Sequence, residues 1–87
     1  MSDAQSLARL ANKGAVTMFD QIISDLIDAL ENAPHVEVRL GAAHGLGEAG
    51  GDRAIHALRT ALKEAPRAEV RGAAAHALGR IAGNLEH

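Results

Sequence analysis

Asp20–Gly51 reads DQIISDLIDALENAPHVEVRLGAAHGLGEAGG, and Asp52–Gly83 reads DRAIHALRTALKEAPRAEVRGAAAHALGRIAG. Aligned without gaps at a shift of 32, the two stretches are identical at 16 of 32 positions. An Ala-rich chain gives a few identities by chance. It does not also keep Pro34/Pro66, Arg39/Arg71, His44/His76 and Gly47/Gly79 in one register. A fixed period of this length is the mark of stacked structural units, each too small to bury its own apolar face.

Each unit reads as two helices. Gly50-Gly51 breaks the chain, and Asp52 is a suitable N-cap for the next helix. Ile55, Leu58, Ala61 and Leu62 then recur at helical spacing. Pro66 stops that helix or starts the next, since proline is disfavoured inside a helix but accepted in its first turn. Val70, Ala74, Leu78 and Ile81 form the next stripe, and Gly83 suits the position just past a helix end. The earlier unit repeats this plan from Asp20 as cap, through Pro34, to Val38, Ala42, Leu46 and Ala49. Upstream, Ser2 or Asp3 caps a further helix carrying Ala4, Leu7, Ala8 and Ala11 and ending near Asn12-Lys13-Gly14. The expected fold is therefore all-α, with five helices at about 3–13, 17–32, 36–49, 52–65 and 68–82 making two and a half hairpins. They form one domain over 1–84, with a degenerate N-terminal stretch over 1–19 and repeat units 20–51 and 52–83. Leu85-Glu86-His87 matches the start of a histidine tag and is set aside.

Composition supports this class. Of 87 residues 47% are apolar, with one Phe and no Trp or Tyr, so the core must be built from Ala, Leu, Ile and Val. Ala and Leu are strong helix formers. The absence of cysteine excludes disulfides, thiolate metal sites and cysteine nucleophiles. Lys and Arg are scattered without a basic run and the net charge is −2, so no nucleic-acid partner is expected. No apolar run approaches the roughly 20 residues of a membrane span. Met1–Leu10 contains Asp3 and Arg9 and lacks the apolar region of a signal peptide, so the expected location is cytoplasmic, without membrane contact.

The segments Val38-Arg39-Leu40-Gly41-Ala42-Ala43-His44-Gly45-Leu46-Gly47 and Val70-Arg71-Gly72-Ala73-Ala74-Ala75-His76-Ala77-Leu78-Gly79 closely resemble the HEAT-like repeat of the phycobilisome-lyase type, whose pattern is V-R-x-x-A-A-x-A-L-G. The resemblance covers Asp20–Gly83. It implies an α-α superhelix, a right-handed HEAT-like solenoid. It also implies structural roles for Asp20, Asp52, Arg39 and Arg71, because such Asp and Arg positions commonly form a ladder between adjacent turns. Each arginine follows its aspartate by 19 residues and serves in an ion pair or as a donor to carbonyl groups. Function is not implied, since the family includes scaffolds, lyases, chaperones and enzymes.

No catalytic constellation stands out. His44 and His76 share a repeat position and should lie on the order of 10 Å apart on the outer face, too far to share one metal ion. No histidine is followed by glutamate, the pairing with which deoxyhypusine hydroxylase holds iron on similar helices. Asp25 and Asp28 read as a solvated helix face rather than an acid–base pair. No metal, cofactor or enzymatic activity is therefore expected.

Two surfaces invite a protein partner. The resemblance places one helix of each hairpin on the inner face of the stack, which here carries Gln21, Ser24, Asp25 and Asp28, then Arg53, His56, Arg59, Thr60 and Lys63. The first set is acidic and the second basic, a split that would orient a dipolar peptide. The other surface is apolar. Met18, Phe19, Ile22, Ile23, Leu26, Ile27 and Leu30 make a band wider than one neighbouring hairpin needs. At the opposite end Val70, Ala74, Ala77, Leu78 and Ile81 have no helix after them and are expected to leave an apolar end open. The sequence thus points to a non-enzymatic interaction or scaffold module, self-associating as a homodimer through that end. The alternative is a subunit or accessory of a bilin lyase-like or cofactor-protein chaperone system, for which added bilin or iron would change absorbance or melting temperature.

Overall fold

A computed structural model describes the backbone of residues 2–86 and the side-chain surroundings of residues 17–86. The described residues form four helices: α1 Ser2–Asn32, α2 Val36–Ala49, α3 Asp52–Glu64 and α4 Ala68–Leu85. Four helices replace the five expected, because α1 runs unbroken for 31 residues through Asn12-Lys13-Gly14. A lone glycine inside a helix costs only about 1 kcal/mol relative to alanine, and no proline occurs before Pro34. The stripe expected on Ala4, Leu7, Ala8 and Ala11 lies outside the described side chains, as does His87 of the supposed tag.

Two local expectations change with this. Asp20 lies inside α1, where the backbone N–H groups are already paired, so it caps nothing. Asp52 is the first residue of α3, behind Gly51 at the N-cap, and makes no capping hydrogen bond. Its carboxylate instead complements the positive end of the helix dipole.

The repeat is legible in the backbone. Each hairpin closes through three residues, Ala33-Pro34-His35 and Ala65-Pro66-Arg67. The residues before the second helices, His35 and Arg67, have φ/ψ of −98/132° and −95/132°. The closing hydrogen bonds also match: Ala33 N–H to Ala29 at 3.1 Å and Ala65 N–H to Ala61 at 3.0 Å. Between the hairpins Gly50 and Gly51 take φ of 67° and 88°, values open to glycine but strained for other residues. At the equivalent of Gly50 the second unit has Ala82, whose Cβ disfavours that turn. The helix accordingly runs through Gly83 to Leu85 instead of ending at Gly83.

α4 packs along both α2 and α3, while α1 packs mainly on α2. The core is dominated by small side chains. Ala42, Ala43, Ala54, Ala57, Ala61, Ala74 and Ala77 are all buried, and Leu46, Leu58 and Val70 are the largest fully enclosed residues. Lacking bulk, the helices hold together by close approach. A Cβ on Gly47 of α2 would stand 2.8 Å from the Ala77 Cβ of α4, well inside carbon–carbon contact distance.

The C-terminal apolar end is not open. Val70, Ala74, Ala77 and Ile81 are buried and Leu78 is half-buried against the same core. Their stripe faces back onto α2 and α3, so no following helix is needed to cover it. The exposed apolar side chains lie mainly at the opposite end, with Met18 60%, Phe19 52%, Ile22 51% and Val38 48% exposed.

Candidate interaction surface

α1 and α3 run along one side of the molecule, and the space between them forms a groove. One section, of about 430 Å³, is lined by Ile27 and Glu31 of α1 and by Asp52, Arg53, His56, Ala57 and Thr60. A second section, of about 210 Å³, shares Glu31, Ala57 and Thr60 and extends to Leu30, Arg39, Glu64 and Pro66. Of the residues expected to form this surface, Arg53, His56 and Thr60 line the groove, and Ser24 joins them through Arg53. Gln21, Asp25, Asp28, Arg59 and Lys63 lie on the same two helices without lining it. Asp28 accepts a hydrogen bond from the Asn32 side-chain amide at 2.8 Å.

Arg53 links the two helices across the repeat boundary. Its guanidinium donates to the Ser24 hydroxyl at 2.7 Å and the Asp20 carbonyl at 3.3 Å, and lies 4.0 Å from the Asp20 carboxylate. Both side chains of the ion pair are more than half exposed, so charge contributes little and position is the main consequence. Ile27 and Glu31 are absent from the sequence-derived surface. Each follows a member of that surface by three residues, Ile27 after Ser24 and Glu31 after Asp28, which would have placed them on that face.

Arg39 and Arg71 do not meet Asp20 and Asp52. Arg39 Nε donates to the Ala33 carbonyl at 2.5 Å, and Arg71 donates to Ala65 at 2.6 Å and Pro66 at 3.3 Å. In both units the arginine reaches back from the second helix to carbonyls at the end of the first. Those carbonyls have no partner within their own helix, and the charge complements the negative end of its dipole. We expect Arg71→Leu to cost about 1.5 kcal/mol, the low end for a charged donor because the site is part-exposed. Urea titration should show a lower midpoint at unchanged slope. Added salt should leave that cost largely intact, whereas an Asp–Arg ladder would be screened.

A separate shallow groove of about 420 Å³ lies between α2 and α4 and is lined by Leu40, Gly41, His44, Ala73, His76, Ala77 and Arg80. The two histidines do share a face, as the repeat requires. Glu48, whose carboxylate lies 3.9 Å from His44, is also engaged by the Arg80 guanidinium.

Among the described residues no helix is long and apolar enough to cross a membrane. A family model described as HEAT repeats matches residues 23–86. No curated protein and no solved structure matches the chain.

Proposed function

The chain belongs to the HEAT repeat family, whose repeats generally mediate protein–protein interaction or scaffolding, and from that premise we propose a non-enzymatic, cytoplasmic interaction module that receives a protein segment in the α1–α3 groove. One observation carries this reading. The groove has apolar walls at Ile27, Leu30 and Ala57, and charged groups of both signs stand along it, the carboxylates of Glu31, Asp52 and Glu64 and the guanidinium groups of Arg39 and Arg53. Apolar walls supply affinity, while a rim of opposite charges sets the direction in which a helix or extended segment lies. The Val38–Gly47 and Val70–Gly79 patterns support the phycobilisome-lyase type of repeat and a short solenoid. Neither calls for chemistry at the groove.

The test is site-specific photo-crosslinking in the native host. A probe at His56 in the groove should capture a discrete protein partner, and the same probe at His76 on the α2–α4 face should not. Reversing Arg53 to glutamate should weaken the recovered complex roughly tenfold, about 1.4 kcal/mol. Equal capture from His76, or no discrete product from His56, would refute the assignment.

A further inference from the structure

The repeat register allows each end of the molecule to be compared with its own interior. Ile22 and Val38 of the first unit are 51% and 48% exposed, while their equivalents in the second unit, Ala54 and Val70, are 0% and 1% exposed. The reverse holds at the other end. Ala43, Leu46 and Gly47 are buried, while their equivalents Ala75 and Gly79 are exposed and Leu78 is half-exposed. Inside the chain these two surfaces belong to one contact, in which the second unit seats Ala77 against Gly47 of the first. The first unit therefore presents an uncovered copy of the entering face, and the second an uncovered copy of the receiving face.

We propose that these ends are a matched pair, and that the receiving face of α4 takes the Ile22–Val38 face of a second copy of this chain, head to tail, continuing the internal stack between molecules. Charge favours the same arrangement. Within the chain Glu48 pairs with Arg80, and these residues occupy equivalent repeat positions. Continuing the stack therefore sets Arg80 against Glu48 of the second copy, again opposite in sign. The units differ as a whole in the same sense. Residues 20–51 hold six carboxylates and one arginine, and residues 52–83 hold three carboxylates and six cations. The junction also brings Leu85, 76% exposed, toward Met18 and Phe19 of the second copy. At Gly79 nothing lies within 4 Å of an added Cβ, so the space that Ala77 fills at Gly47 is open there.

A contact between two different faces leaves one of each unused after every addition, so it grows open-ended chains unless the rotation closes a ring. This inference rests on the chain being a protein-interaction module, but it uses the ends and not the groove. The test is sedimentation velocity over a concentration series. The wild-type chain should pass through dimer to larger species as concentration rises. Val38→Glu blocks one face and Gly79→Glu the other, both at exposed positions where a folded helix tolerates the change, as circular dichroism should show. Each variant alone should remain monomeric, and an equimolar mixture should stop at dimer, joined through its one intact pair of faces. A wild-type chain that stays monomeric throughout overturns the proposal without reference to either variant. A variant that dimerises alone, or a mixture that stays monomeric, overturns it too. Failure of this kind with His56 crosslinking intact would remove only the head-to-tail contact. Loss of groove crosslinking with assembly retained would remove only the groove.

Discussion

Leu46→Ala is expected to lower the unfolding free energy by about 2–5 kcal/mol, the range for a leucine removed from a packed core with only partial collapse of the cavity. Leu46 is fully buried and sits on α2 beside Gly47, where α4 approaches closely. Few neighbours have the bulk to fill the void, because alanines without rotatable side chains dominate the core. Domains of this size are only marginally stable, so such a loss should move the denaturant midpoint far enough to leave much of the protein unfolded at modest temperature. Leu78 holds the same position in the second unit but is half-exposed. Its replacement by alanine should cost about 1 kcal/mol, since much of the side chain already meets water. Chemical denaturation of both variants at low protein concentration measures the difference. Equal losses would show that the two units are packed alike, contrary to the structure.

Gly47→Leu is the second large effect. The first added carbon would lie 2.8 Å from the Ala77 Cβ and 3.1 Å from its Cα, so the conflict reaches the backbone of α4 and no rotamer relieves it. The helices must separate, which breaks contacts on both sides of the pair. Overpacking of this kind costs about 3 kcal/mol, and the roughly 1 kcal/mol of helix propensity that leucine adds over glycine offsets only part of it. The variant should keep most of its helical circular dichroism while melting earlier and less cooperatively.

Much of the fold is legible in the sequence. The 32-residue register locates α2, α3 and α4 to within a few residues, because proline and paired glycines mark their ends. Arg39 and Arg71 share one repeat position, and each bonds carbonyls at the end of the preceding helix rather than an aspartate. The departures have local causes. Gly14 resembles a terminator, but a single glycine cannot break a helix that nothing else interrupts. Ala82 stands where Gly50 turns, yet it has the Cβ that disfavours that turn. The stripe from Val70 to Ile81 reads as uncovered because no helix follows it, whereas α2 and α3, which precede it, already cover it. The groove is half legible. Spacing identifies the polar residues on α1 and α3, but in the sequence Ile27 and Leu30 merge into a general apolar band. Only the pairing of α1 with α3 shows that they lie under the charged rim.

One repeat contact is used once inside the molecule and left open at its end. Comparing the unfolding free energies of Gly47→Ala and Gly79→Ala at low protein concentration tests this most directly. The residues are identical in type and repeat position, but of the two only Gly47 closely faces a neighbouring helix. Opposite signs are expected. Gly47→Ala should destabilise by about 1 kcal/mol or more from crowding against Ala77. Gly79→Ala should stabilise by about 0.5–1 kcal/mol from reduced backbone freedom in the unfolded chain. Shifts of the same sign, whether both stabilising or both destabilising, would contradict it.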